Sequence, residues 1–426
     1  MAPVSATPTH DRFVAARGGE PLDHRSLQAH LAALLRLENV AVFLGAGASR
    51  SSGGLTMAEA WDYFQTTYPE SYQWLLSQSF LRADETPSIE CLSDALEVAR
   101  VEWERVNRRG RRKLLAASAD VQRTLIKAAL LSETWWNDPA SVDEPDNGLA
   151  AHRTVVQKVC ATRQPGQGSP WFFTTNYDLA IEWAAEAIGL HVTGGFSGLH
   201  HRAFASHNFD LGFRNVLARG EARFGTYNIC LAKLHGSLTW RILPTGLVIE
   251  ESAAAARDEL FDFLSGAGKE PQPFVVYPRT AKYRQTAEYV LGELFRRFTE
   301  MLSRPQTGLV VCGYSFADEH INRVLRAALN NPTLQIVLYV RSARWEEDRL
   351  VIPDGTPWAR RLANLKLPQV TIVGGGDTAT FGAFAEHLPD PTVLDSHALQ
   401  IRKQLREWEA WERDGRRHDQ QGETAE

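Results

Sequence analysis

Short runs of almost unbroken apolar residues, each ending at glycine or a small polar turn, set the strongest limit on how this chain folds. Val40–Leu44 (VAVFL), Trp171–Thr174 (WFFT), Gly308–Cys312 (GLVVC) and the run LQIVLYV are of this kind. A strand that is apolar at successive positions has both faces covered, the condition of a parallel sheet between helical layers. Helical patterns fill the intervals. DHRSLQAHLAALLRL puts Leu27, Leu31, Leu34 and Leu35 on one face, and IEWAAEAIGL, AEYVLGELFRRFTEMLSRP and EHINRVLRAAL also read as helices. NICLAKLHG, Phe274–Tyr277 and VTIVGGG read as further strands. The alternation predicts an α/β fold with a Rossmann-like doubly wound parallel sheet.

The rhythm is interrupted once. Between Leu55 and Leu131, aromatic residues and leucines recur at helical spacing with little strand signal, which predicts an inserted all-helical subdomain over about residues 55–150. Trp135–Leu149, with its Asn, Asp, Pro and Gly, reads as a loop inside it. Residues 1–22 read as a flexible N-terminal arm and 23–393 as the main domain. Residues 394–417 read as a charged C-terminal helix carrying Trp408 and Trp411, and 418–426 as a disordered tail.

Charge and cysteine usage exclude several classes. A net charge of −5 gives no bulk attraction to nucleic acid or anionic membranes, so neither is an expected partner. The basic run RVNRRGRR, residues 105–112, reads as a solvated helix end. No apolar run is long enough to span a bilayer, and the first residues lack the apolar centre of a secretory signal. Cys91, Cys160, Cys230 and Cys312 form no C-x-x-C pair, so neither a metal site nor a disulfide framework is expected, and the location is read as cytoplasmic.

Four strand ends carry residues with chemistry. LGAGASRSSG follows the first apolar run, where Gly45 and Gly47 suit a tight turn or close approach to a pyrophosphate. It lacks a third glycine at Arg50 and has no G-K-[ST], so a purely structural turn fits it almost as well. FFTTNYD delivers Thr175, Asn176, Tyr177 and Asp178 to a strand's carboxyl end, where Asn176 or Asp178 equally suits a helix cap. KLHGS places His235 at a strand end before a glycine, unlike His10, His24, His200, His201 and His418 in polar surroundings without a motif. LVVCGYSFADEHIN sets Gly313 and Ser315 after a strand and Asp318 as a cap for the next helix.

Taken in order, GAGAS, TTNYD, LHGS and GYSFADEHIN resemble the sirtuin superfamily, especially the bacterial sirtuin-like NADases of antiphage defence. The resemblance runs in broken blocks from Val40 to Val373, the helical insertion excepted. It implies NAD as substrate, with Gly45, Ala46, Gly47 and Ser49 in the pyrophosphate and ribose cradle. Thr175 lies beside them, Asn176 near the nicotinamide ribose, Asp178 near the carboxamide, and His235 is the base. Gly313 and Ser315 line the adenosine side, with Arg341 and Gly375–Asp377 in reach of the adenine. It also implies a homo-oligomer and a HerA-type ATPase as partner. Protein-deacylating sirtuins carry two C-x-x-C pairs and a Pro-Asp-Phe-Arg stretch after the first motif; here the sequence reads SSGGLTMAEAW. The expectation is therefore an NAD⁺ hydrolase, with deacylation, a non-catalytic NAD or ADP-ribose sensor and a vestigial assembly protein as alternatives.

Overall fold

A computed structural model describes residues 13–82, 89–138, 141–142, 148–164, 167–212, 228–268, 273–275, 281–347, 349–353 and 357–390. Strands are numbered along the chain. The central sheet comprises β1 (Val14–Arg17), β2 (Glu20–Pro21), β3 (Asn39–Leu44), β4 (Trp171–Thr174), β5 (His191–Thr193), β8 (Asn228–Lys233), β12 (Thr307–Cys312), β13 (Gln335–Tyr339) and β16 (Val370–Gly374). Their order is β2-β1-β16-β13-β12-β3-β4-β8-β5. From β16 to β5 every pairing is parallel. The chain moves from β3 to β4 on one side and later returns to β12 on the other. The β3/β12 boundary is thus the switch point of a doubly wound sheet, as the alternation predicts.

Successive residues of the central strands feed two different cores. Ala41 and Phe43 join one cluster while Val40, Val42 and Leu44 join the other; Leu309 and Val311 divide from Val310 and Cys312 in the same way. One face is covered by α10 (Ala281–Ser303), α11 (Glu319–Ala328) and α12 (Pro357–Asn364). The other is covered by α1 (His24–Leu35), α7 (Ala150–Ala161), α8 (Ala180–Ala187) and α13 (Phe381–His387). Burial on both faces is why these strands read as continuous apolar runs.

The insertion consists of α2 (Met57–Thr67), α3 (Pro69–Ser77), α4 (Ile89–Arg105), α5 (Arg111–Leu130) and α6 (Glu133–Asn137). Phe64, Leu75, Leu96, Leu114 and Val121 form its own core. The loop expected over Trp135–Leu149 is partly helix. Trp135 and Trp136 turn inward and meet Trp183 with ring centroids 5.6 and 5.4 Å apart, and that apolar contact fixes α6.

Two further expectations change. The arm predicted over residues 1–22 includes ordered strands, because β1 pairs antiparallel with β16 from Val14↔Gly374 to Arg17↔Thr371, buries Val14, Ala15 and Ala16, and carries the short β2 at the sheet's edge. A second, antiparallel sheet also flanks the first. It contains β6 (Phe196–Ser197), β7 (Arg202–Phe204), β9 (Gly236–Ile242), β10 (Val248–Glu250) and β11 (Pro273–Val275), and β14 (Arg344–Glu346) with β15 (Arg349–Val351) forms a ribbon. α9 (Ala253–Leu264) packs against β9 and the insertion. Among the described residues no helix is long and apolar enough to cross a membrane. All four cysteines are free thiols. The helix and tail expected over 394–426, with Trp408 and Trp411, lie outside the described residues.

Candidate active site

The four motifs leave the sheet side by side. Cys312 pairs with Leu44, Leu44 with Thr174, and Thr174 with Lys233, so the ends of β12, β3, β4 and β8 stand at one level. Every residue that follows these four enters a single carboxyl edge spanning the switch point. Open α/β sheets bind their ligands at such an edge.

The first and fourth loops are fused by their backbones. Gly45 N–H donates to Cys312 O at 3.1 Å, and Gly47 N–H to Gly313 O at 2.9 Å. A Cβ on Gly45 would lie 2.5 Å from Gly313 O, and one on Gly313, whose φ is +69°, would lie 2.3 Å from Ala48 N. These glycines allow two loops to touch, a structural use of the tight turn that the sequence offers beside ligand approach. The chain then makes two 3-10 turns, Ala46–Ala48 and Arg50–Ser52, and α2 starts only at Met57. No α-helix therefore begins directly at the glycines. Ala46 and Gly47 remain partly exposed.

Asn176 is clamped by the first loop. Its Nδ2 donates to Gly45 O at 3.1 Å and to Ser49 Oγ at 2.9 Å. A carbonyl only accepts, so the contact with Gly45 fixes which end of the amide is nitrogen. Ser49, itself buried, donates onward to Asp178 Oδ2 at 2.6 Å. Asp178 Oδ1 accepts from Ala180 N–H at 3.0 Å, which also makes it a brace for the first turn of α8. Asp178 is only 7% exposed, so both its oxygens are committed inside the protein. It supports Ser49 and Asn176 from behind. Thr175 N–H donates to Leu44 O at 3.2 Å, and Thr175 and Asn176 are half-buried at the edge.

His235 occupies a corner. The chain leaves the central sheet at Lys233 and enters the second sheet at Gly236, whose φ of +95° makes the bend. Leu234 N–H donates to Thr174 O at 2.8 Å, so the corner is tied to β4. From there His235 Nε2 reaches Asp318 Oδ2 at 2.9 Å, joining the third loop to the fourth. Burial raises the Asp318 carboxyl, but His235 and the amides of His320 and Ile321 outweigh it and hold it below its ordinary value. Tyr314 OH donates to Asp318 O at 3.1 Å, and Asn322 Nδ2 to Phe316 O at 2.8 Å, which stiffens this loop. Ser315 is exposed at its rim. Arg341 pairs with Asp377 on the exposed loop after β16, so those two residues occupy each other.

Two site residues escape sequence reasoning. Asp318 reads there only as a helix cap. Lys233 reads only as part of a strand, yet its amine is buried and donates to the carbonyl of Asp178 and to Glu182 Oε1. An acidic partner four residues beyond Asp178, on the helix that Asp178 opens, was the available signal for Lys233. The insertion is attached to the same edge: Arg50 pairs with Glu59 on α2, and Tyr177 OH donates to Glu90 on α4 at 2.8 Å.

This parallel sheet with four converging motif loops has the architecture of a Rossmann-like α/β domain. A family model described as a SIR2-like domain matches residues 170–350. That match supports a sirtuin-like family and takes in the Asn176, His235 and Asp318 loops. The glycine loop lies outside it and is joined to it by the β3–β4 and β3–β12 register. No curated protein matches the sequence.

Proposed function

We propose that this chain hydrolyses NAD⁺ at the nicotinamide N-glycosidic bond, giving nicotinamide and ADP-ribose. One observation carries the reading. At the ends of neighbouring strands β4 and β8, Asn176 and His235 are each held through one end and each keep a spare acceptor. Among the described residues, nothing donates to Asn176 Oδ1 or His235 Nδ1. Two fixed acceptors fit hydroxyl donors, namely a water and the hydroxyls of a ribose.

NAD⁺ enters as substrate, and the electrons of its C1′–N bond neutralise the positive nicotinamide as it departs, so no general acid is called for. Asn176 orients the water or the ribose hydroxyls. His235 takes the proton that the water loses as its oxygen bonds to C1′. Ser49 and Asp178 keep Asn176 from rotating, and the rigid Gly45–Gly47/Gly313 seam keeps the edge from spreading. Ala46, Gly47 and Thr175 line the dinucleotide side on this reading, with Ser315 at its far rim.

The setting we read for this activity is NAD⁺ depletion in antiphage defence, by a homo-oligomer with a HerA-type ATPase as partner. Its support is the resemblance of the motifs. Mass measurement of the protein alone and with that ATPase tests the assembly. The chemistry is tested by incubating the full chain with NAD⁺, with and without an acetylated peptide, and following nicotinamide. Release without peptide is the expected result. Release only with peptide would make the chain a deacylase, and NAD⁺ binding without release would make it a sensor.

A further inference from the structure

We infer that Asp318 is a positioning residue that selects the proton-accepting nitrogen of His235, a role distinct from its capping of α11. The two oxygens of this carboxylate are divided between two tasks. Oδ1 accepts from His320 N–H at 2.8 Å and Ile321 N–H at 3.4 Å, which starts the helix. Oδ2 faces His235 Nε2 at 2.9 Å. An ionised carboxylate only accepts, so Nε2 carries the hydrogen and the neutral imidazole's lone pair sits on Nδ1. Among the described residues Nδ1 has no partner. Whatever His235 deprotonates must approach that nitrogen.

The arrangement is well anchored. The Asp318 side chain is held by the helix amides at one oxygen, its own carbonyl accepts from Tyr314, and His235 is fixed by the Gly236 corner. Both partners are largely shielded, with side-chain exposures of 15% for His235 and 23% for Asp318, which strengthens the bond relative to one in water. When His235 gains a proton the result is an imidazolium against a carboxylate, so Asp318 also stabilises the charge that develops.

This inference rests on His235 being the base of the proposed hydrolysis, but its test does not. Asp318→Asn separates the tasks, because asparagine caps a helix about as well as aspartate. With its amide oxygen kept by the α11 amides, the amide nitrogen faces Nε2 and donates to it. The imidazole must then carry its hydrogen on Nδ1, and the substrate-side acceptor is lost. The full chain carrying ¹⁵N-labelled histidine reports the tautomer by NMR. We expect Nε2–H in the parent and Nδ1–H in Asp318→Asn, with the fold kept, melting lowered only slightly by loss of the charge, and unchanged NAD⁺ affinity. We expect kcat to fall by about 10²–10⁴-fold. Asp318→Ser, a cap too short to reach His235, is expected to give mixed tautomers and an intermediate kcat. A parent that turns over no NAD⁺ would sink the hydrolysis reading while the tautomer shift still decides the role of Asp318. The same tautomer in all three proteins would overturn the positioning role, as would Asp318→Asn turning over NAD⁺ like an active parent.

Discussion

Lys233 stands between two polar clusters. On the edge side, Asn176, Ser49, Asp178, His235 and Asp318 form short chains in which the side-chain oxygens of Ser49, Asp178 and Asp318 each have a donor. On the other side lies a cavity of about 290 Å³ whose lining includes Glu182, Glu186, His191, Arg202 and Glu250. Burial there pushes the carboxyls of Glu182, Glu186 and Glu250 up, only partly opposed by Lys233 and Arg202. Asp318, also partly taken from water, is instead held down by directed donors. Volume and acidity thus gather in one place, and fixed, half-open acceptors in the other. On the proposed function, the oriented polar groups rather than the empty space are where bond-breaking geometry is set.

The sharpest separation of the two clusters is catalytic. Asn176→Ala and His235→Ala should each lower nicotinamide release by at least about 10³-fold, roughly 4 kcal/mol of barrier, with melting little changed. Glu186→Gln, across Lys233, should leave release as it was. A cavity substitution that stops turnover as completely would erase the distinction.

The next effect falls on Lys233, which both clusters share. Lys233→Met strands Glu182 and frees the Asp178 carbonyl, and breaking a buried pair in this way should cost about 3–4 kcal/mol by denaturant unfolding. Gly313→Ala follows. Its Cβ would press on the Ala48 amide from a left-handed backbone, and a loss of about 2–3 kcal/mol is expected. An unchanged unfolding midpoint would show that the seam opens easily.

The smallest effect has opposite signs on the two sides. The lowered Asp318 carboxyl adds stability above its ordinary 3.8 that is lost as pH falls through its lower folded value. Parent and Asp318→Asn, which keeps the cap, should therefore differ most above 3.8 and converge only as pH falls through that lower folded value. Glu250, raised from 4.5, binds its proton more tightly when folded, so its contribution is full below 4.5 and lost as pH rises through the folded value. The parent should lose ground to Glu250→Gln over that rise. Parallel pH trends for the two variants would contradict the contrast.

Sequence patterning anticipates the central strands and the edge well, because strands apolar on both faces and glycine-ended turns are local signals. It misses β1, whose VAAR is ordered only by pairing with β16. It misses most of the second sheet, since strands as short as Phe196–Ser197 and Val248–Glu250 carry no readable period. The glycines are legible as a tight turn, but what they approach, another loop, depends on residues far along the chain. Asp318 is likewise legible as a cap through its nearby amides. Its second oxygen meets His235 only because β8 and β12 are brought to one edge.

The most direct measurement is a time course of NAD⁺ consumption by the purified full chain, with nicotinamide and ADP-ribose quantified together beside Asn176→Ala and His235→Ala. Equimolar products from the parent and none above background from either variant are predicted. Equal product formation by all three proteins would contradict the assignment of the chemistry to this edge.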